Sequence, residues 1–208
     1  MDNSKEMYKE KSKQTFSNQA NIYDATYYGK HAKKLYASVI EKVNDFKCTK
    51  VLDVGCGTGT ILSLLSKNES ISLSGVDLSE KMLDIAKQKL DDRVELKLGD
   101  SEQIPWANQT FDAIICTDSF HHYPEPEKVL YEILRVLKKG GHLIIGDPWM
   151  PSPFRQVTNR LLKYSKDGDY KIYSKAEIIK LLTRCGFSSV NWSRVNASSF
   201  IVTAEANE

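Results

Sequence analysis

Three short stretches of this chain carry groups suited to holding a nucleoside-like ligand. The first is Val51-Leu52-Asp53-Val54-Gly55-Cys56-Gly57-Thr58-Gly59, an apolar run that ends in glycines at alternate positions. Glycines between a buried strand and a helix let a ligand approach the backbone, and the helix start behind them offers free N–H groups. The dinucleotide fingerprint G-x-G-x-x-G would need glycine at position 60, where Thr60 stands. A P-loop would need a Lys-Ser/Thr pair after the last glycine, and there is none. A ligand held here therefore carries little negative charge at this turn. The second stretch ends at Asp77, whose carboxylate can accept both hydroxyls of a ribose. The third is Gly99-Asp100-Ser101, a carboxylate and a hydroxyl suited to the exocyclic amine of an adenine. Met82, shortly after Asp77, can pack on a purine face, although a helical Met serves equally as core.

Other residues invite chemistry less specifically. His121-His122 follows an apolar run. Such a pair either satisfies local carbonyls or turns one ring toward a reacting group. No further ligands at metal spacing accompany it, so no metal is expected. Asp147 closes another apolar run. Tyr23, Tyr27 and Tyr28 are too aromatic for a plain linker and form either a staple onto the core or a cover that excludes water.

The elements that position these groups follow from periodicity. Lys50–Val54, Ile71–Val76, Val94–Leu98, Phe111–Cys116 and His142–Gly146 read as strands. Between them lie helices over Thr60–Lys67, Glu80–Leu90 (capped by Ser79) and from Pro126 to Lys138-Lys139, the last ended by Gly140-Gly141. Residues 31–46 place Leu35, Val39, Val43 and Phe46 on one helical face. Residues 1–17 are polar, either a frayed terminus or a polar helix. After Asp147, Phe154–Tyr164 and a segment from Ser174 to Thr183 look helical, with Gly186 as the stop. Ser189–Val195 and Ser199–Ala204 read as a hairpin at the sheet edge. Strict alternation predicts an α/β fold: a Rossmann-like, doubly wound, mostly parallel sheet of seven strands with a C-terminal antiparallel edge hairpin. The candidate ligand groups Gly55–Gly59, Asp77 and Asp100 then all lie at the carboxyl ends of strands, where open α/β sheets bind ligands.

Composition narrows the classes. The chain has 208 residues, enough for a full core, with 29 Lys+Arg against 27 Asp+Glu. That balance gives no field for nucleic acid or an anionic surface, and no nucleic-acid partner is expected. No apolar run reaches a membrane-spanning length and no membrane-docking helix is evident, so no integral membrane association is expected. The N-terminus lacks a leader-like apolar core. Cys48, Cys56, Cys116 and Cys185 lack C-x-x-C spacing and read as reduced, mostly buried thiols of a cytoplasmic protein.

The run from Val51 to Asp147 resembles class I S-adenosylmethionine-dependent methyltransferases. It is most similar to the subgroup of ubiquinone/menaquinone-biosynthesis C-methyltransferases (methyltransferase type 11). The resemblance rests on the Leu52–Gly59 motif, Gly75-Val76-Asp77-Leu78-Ser79, Gly99-Asp100, Phe111-Asp112, His121-His122 and Glu132-x-x-Arg135-Val136-Leu137-Lys138-x-Gly140-Gly141. Upstream, Phe16-x-x-x-Ala20-x-x-Tyr23-Asp24 resembles that subgroup's entry motif. It departs at Lys139, where the family often has proline. The resemblance implies S-adenosyl-L-methionine as cofactor and S-adenosyl-L-homocysteine as its product. It implies that Asp53, Gly55, Gly57 and Gly59 line the methionine end and that Asp77 holds the ribose. Leu78 and Met82 would flank the adenine, and Asp100-Ser101 would recognise its amine. Thr117 would sit near the sulfonium, and Tyr23 and Tyr28 would form a lid. His122, His121 and Asp147 are the candidates for a general base, which is needed only where the acceptor is a poor nucleophile. Position 117 onward reads Thr117-Asp118-Ser119-Phe120, not the Asn-Pro-Pro-aromatic tetrad of DNA amino-methylating enzymes, which points to a small-molecule acceptor. The expected organisation is a helical lid or entry segment over 1–47 and a binding domain over 48–208, with 148–173 as an acceptor-pocket insertion. Trp149, Met150 and Phe154 would wall that pocket. The assembly would be a monomer or homodimer. The alternative is a catalytically silent S-adenosylmethionine-binding module acting through a partner.

Overall fold

The computed structural model describes residues 3–207. The chain opens with α1 (Asn3–Gln19), a 3-10 segment over Ala20–Ala25 and α2 (Tyr27–Asp45). Then β1 (Lys50–Val54), α3 (Thr60–Leu65), β2 (Ser72–Asp77), α4 (Glu80–Lys89), β3 (Glu95–Leu98) and β4 (Phe111–Thr117) alternate. A 3-10 turn over Phe120–His122 leads to α5 (Pro126–Val136) and β5 (Leu137–Pro148). After α6 (Phe154–Leu161) come α7 (Lys175–Cys185), β6 (Phe187–Arg194) and β7 (Ser199–Ala206). The sheet has seven strands in the order β3-β2-β1-β4-β5-β7-β6. Strands β1 to β5 pair in parallel, whereas β7 runs antiparallel to both β5 and β6.

Two cores flank this sheet because successive strand residues face opposite sides. Leu52, Val54, Ile114, Cys116, Leu143 and Ile145 pack with Val129, Leu130 and Ile133 of α5 and Ile178 and Leu182 of α7. Val51, Ala113, Ile115 and Ile144 pack on the other side with Val39 and Val43 of α2 and Ile61 and Leu62 of α3. The helix ends carry the caps their residues favour. The Thr26 hydroxyl accepts the Gly29 N–H, Ser174 and Glu177 form a reciprocal capping box, and Gly186 stops α7 at φ +105°. All four cysteines are free and buried. Among the described residues no helix is long and apolar enough to cross a membrane.

Several boundaries differ from the sequence expectation, most of all the one between α5 and β5. Helix α5 ends at Val136 rather than at Lys138-Lys139. Leu137 turns to extended geometry, pairs with Phe111 of β4 and is buried with it in the core. Continuing the helix would take Leu137 out of that core. Gly140, at φ +69°, turns the chain before the pairing resumes at His142. Asp112 anchors the same corner. It accepts the Thr49 and Lys50 N–H groups and the Lys138 ammonium at 2.5 Å. Although burial opposes its charge, these donors hold its carboxyl at about 2.

The Glu132-x-x-Arg135 pair of α5 is also structural. Arg135 donates to the carbonyls of Ile104 and Trp106, each at 2.8 Å, and to Glu132, which in turn accepts the Ile104 N–H at 2.8 Å. Arg135→Met strands both carbonyls, and urea unfolding is expected to show a loss of about 2 kcal/mol.

Candidate active site

The carboxyl ends of β1, β2, β3 and β4 open into a solvent-connected cleft. Of the residues singled out in the sequence, the structure brings ten together in its wall: Gly55, Gly57, Asp77, Leu78, Met82, Asp100, Ser101, Thr117, Tyr23 and His122. Asp53, Gly59, Tyr28, His121 and Asp147 lie outside the wall. Asp53 is buried behind Val54 and Gly55. Gly59, at φ +70°, packs against Ala86 of α4 and Leu90 just past its end. The hydroxyl of Tyr28 donates to Asp167 at 2.6 Å. Trp149, Met150 and Phe154 do not line the cleft either. Trp149 packs on the core beneath the Arg194 guanidinium, and Phe154 is exposed.

The first two turns are tied together by Asp77. Its Oδ2 accepts the Gly57 N–H and its Oδ1 accepts the Ser79 N–H, both at 2.8 Å. Each oxygen keeps a lone pair for a further donor. Burial pushes this carboxyl up, and the backbone amides oppose it. Gly55 is required by close approach: a Cβ there would meet Ser119 at 2.8 Å, at φ +78°. The Ser119 and Tyr123 hydroxyls both donate to the Val54 carbonyl, closing that corner. At Gly57, φ +52°, a Cβ would meet nothing within 4 Å, so the backbone lies bare against the cleft.

Helix α1 forms the opposite wall with Lys9, Ser12, Lys13 and Phe16. Lys9 bridges Asp100 and Glu102 at 2.8 Å each, so the carboxylate expected to meet an amine already holds an ammonium. Lys5 pairs with Glu125, and the Ser17 hydroxyl meets that of Ser79 at 2.7 Å. Phe16 sits edge-on to Tyr23, Tyr28 and His122. The 3-10 segment is clamped through Asp24, which accepts the Thr58 and Thr60 hydroxyls and pairs with Lys89.

Beside Thr117 the cleft is bounded by a buried network of histidines and carboxylates. His121 and Asp147 pair at 2.9 Å, and His31 of α2 pairs with Asp118 at 2.8 Å. Burial opposes charge on His121, yet the Asp147 carboxylate outweighs it and holds the ring at about 9. His122 goes the other way: burial, then the charge of His121, hold it neutral down to about 3. Its Nδ1 faces Ser12 at 3.3 Å and Asp169 at 3.6 Å. Ligating atoms of His121, His122 and Asp169 lie within 4.8 Å of one another, as do those of Asp118, His121 and Asp147. These ion pairs and hydrogen bonds account for that spacing.

Several buried atoms in and behind the wall have no hydrogen-bond partner among the described residues: Asp53 Oδ1, Glu102 Oε1, Thr117 Oγ1 and His122 Nε2. Unpaired buried acceptors and the open lone pairs of Asp77 fit a ligand that brings hydroxyls, an amine and positive charge. Gly57→Ala would put a methyl group into the bare space and strain the left-handed backbone. Titration calorimetry is expected to show about tenfold weaker binding of S-adenosylhomocysteine.

Asp118, Ser119, Tyr123 and the α1 residues were not picked out in the sequence as wall residues. Asp118 had one legible signal, its place just past β4. Its left-handed backbone at φ +55° and its pairing with His31 emerge only from the fold.

Residues 52–145 match the family model described as a methyltransferase domain. Demethylmenaquinone methyltransferase of Thermotoga maritima is 34% identical over 127 residues, 61% of this chain and 55% of that protein. The Lactobacillus johnsonii protein of the same name is 32% identical over 148 residues, 68% of this chain and 57% of that one. Methyltransferase GfsG of Streptomyces halstedii is 37% identical over 47% of this chain and 37% of its own length. The chain thus spans about half the length of the curated relatives it matches, or less. Among solved structures, a SAM-dependent methyltransferase of Aquifex aeolicus superposes with a TM-score of 0.64 at 29% identity, over 80% of this chain and 88% of that one. The YcgJ protein of Bacillus subtilis shares the fold with a TM-score of 0.68 at 17% identity, over 83% and 98% of the two chains. A match from Leu52 to Ile145, a sheet of this order and a glycine turn tied to Asp77 point the same way: over these residues the chain is similar to the S-adenosylmethionine-dependent methyltransferases.

Proposed function

We propose that this chain transfers a methyl group from S-adenosyl-L-methionine to a small-molecule acceptor. The observation that carries the reading is the convergence of the turns after β1, β2 and β3 on one cleft, with Asp77 joining the first to the second. When bound, the cofactor supplies a methyl group already activated on a sulfonium, so the protein's work is positioning and water exclusion.

The residues divide that work. Asp77 accepts the ribose hydroxyls with its free lone pairs. Leu78 and Met82 flank the adenine, and Asp100 and Ser101 take its amine, with Lys9 sharing or yielding the Asp100 oxygen. Gly55 and Gly57 give backbone access at the methionine end. Burial and the charge of Asp77 push the neighbouring Asp53 carboxyl well up, so it meets the ligand as a hydrogen-bonding group and not as a fixed charge. Gly59 shapes the turn onto α4. Thr117 and the unpaired Nε2 of His122 face the transfer end, where they orient an acceptor hydroxyl or amine. His122, neutral down to about 3, accepts a hydrogen bond there and is a weak proton acceptor. His121 and Asp147 act one layer back by fixing the Phe120–His122 turn against β5. Phe16, Tyr23 and Tyr28 close the aromatic cover. In this reading residues 1–47 are the lid and 48–208 the binding domain, and Asp167–Asp169 is the part of the 148–173 insertion that reaches the cleft edge.

The relatives named demethylmenaquinone methyltransferase make a quinone-like aromatic carbon acid the first acceptor to test. The experiment pairs calorimetry of S-adenosylhomocysteine with a labelled-methyl assay on demethylmenaquinone and on metabolite extract, followed by mass identification of the product. Binding with transfer supports the reading. Absence of binding overturns it, and binding without single-turnover transfer to any acceptor favours a silent module instead.

A further inference from the structure

Helix α6 is built inside out. Its inward residues are polar. Asn159 exchanges two 2.9 Å hydrogen bonds with the backbone of Ile172, Arg155 donates to the Met150 carbonyl, and Thr158 reaches the Met150 sulfur. Its outward residues are apolar: Phe154, Val157 and Leu161, continued by Tyr164 in the following turn, are 67%, 54%, 58% and 73% exposed. Those positions, at spacings of three, four and three, form one stripe along the helix. No residue of α6 is buried. A soluble surface helix normally shows the reverse arrangement, and an apolar stripe left in water marks a contact surface.

The charge around the stripe identifies what covers it. From Trp149 to Lys166 there is no acidic residue, while Arg155, Arg160, Lys163 and Lys166 are basic. Arg160, Lys163 and Lys166 are exposed beside the stripe. A two-fold contact with a second copy would oppose these cations to themselves, with no carboxylate of the same segment between them. An anionic lipid surface accepts both features at once: acyl chains take the aromatic and aliphatic side chains, and headgroups take the rim of cations. We propose that α6 docks this protein on the surface of an anionic bilayer, lying in the interface without crossing it. This proposal departs from the expectation, drawn from linear sequence, that no docking helix is present. The segment just after α6 carries Asp167 and Gly168, whose backbone carbonyls receive the Ser12 hydroxyl at the cleft wall. Docking therefore brings the cleft edge close to the lipid surface. The docking itself does not depend on the methyl-transfer reading.

The test is co-sedimentation of the whole chain with vesicles of equal parts phosphatidylglycerol and phosphatidylcholine, against phosphatidylcholine alone. The chain is expected to pellet with the anionic vesicles and to be released by salt. Val157→Ser with Leu161→Ser is expected to lower the bound fraction at least ~tenfold, and Arg160→Glu with Lys163→Glu to do the same. Because these side chains are exposed, both variants should keep the far-ultraviolet circular dichroism spectrum and the S-adenosylhomocysteine affinity of the wild type. That control separates failure of docking from failure of the cleft. The proposal is overturned if the wild type stays in the supernatant, or if the serine variant pellets as well as the wild type. It is equally overturned if sedimentation velocity shows a dimer that the serine variant dissolves while vesicles are ignored.

Discussion

Asp77→Ala is expected to weaken S-adenosylhomocysteine binding by at least ~10²-fold, read by titration calorimetry. A carboxylate accepting two ribose hydroxyls makes two charge-assisted hydrogen bonds, each worth about 1.5–3 kcal/mol. Their sum, about 3–6 kcal/mol, corresponds to roughly 10²- to 10⁴-fold in affinity. The alanine also frees the N–H groups of Gly57 and Ser79, which the carboxylate now holds at 2.8 Å, so the two turns lose their tie. Asp77→Asn keeps the shape and one acceptor oxygen and should fall between wild type and alanine. Thermal unfolding without ligand separates the two losses, because only the lost tie lowers the midpoint of the free protein. Unchanged affinity in the alanine variant would remove Asp77 from the ligand site.

The second large effect concerns His121. Its folded-state value of about 9 lies above the ordinary histidine value of 6.5. A group raised on folding stabilises fully below the unfolded value and loses that contribution as pH rises through the folded one. Unfolding free energy should therefore decline between about pH 6.5 and 9, by roughly 1–3 kcal/mol in all. The carboxyl of Asp147, pushed up by burial against the charge of His121, titrates with the same sign. His31, raised by Asp118 against its own burial, adds to the decline. His121→Leu should remove most of this slope. It should also cost about 3–5 kcal/mol near neutral pH, since it leaves the fully buried Asp147 without its counter-charge. Urea unfolding across the pH range reads both. A slope undiminished in the leucine variant would place the main titrating group elsewhere.

How much of this was visible in the sequence depends on how local the cause is. The alternation of strands and helices was legible because Val51-Leu52 and Ile114-Ile115 sit in the short continuous apolar runs of strands buried on both faces, and Leu35, Val39 and Val43 follow a period near 3.6. Ser79, Ser174 and Gly186 act within a few residues of themselves, so those helix ends were legible too. The end of α5 was not, because Leu137 leaves the helix to pair with Phe111, a partner remote in the chain. In the site, the strand-end groups were legible because glycine and aspartate at those points are required by backbone geometry. The α1 wall was opaque. Lys9 and Ser12 are ordinary polar residues whose partners Asp100, Glu102, His122 and Gly168 lie far along the chain. The His121–Asp147 and His31–Asp118 pairs join elements that only the sheet order brings together. The reversed polarity of α6 is a matter of which side faces the body, and periodicity alone does not reveal that.

The position of β7 between β5 and β6 bears on how the chain is made. As a ribosome delivers the protein, β1 to β5 can assemble in register while the outer edge of β5 is still bare. That edge presents Leu143, Ile144 and Ile145, and its later partners Ala204, Thr203 and Val202 have not yet been translated. During this interval the nascent polypeptide exposes an unpaired, apolar strand edge that invites pairing with neighbouring chains. Synthesis slowed after Pro148 would prolong the hazard, and a chaperone that shields strand edges would relieve it until Ser199–Ala206 emerge and close the gap.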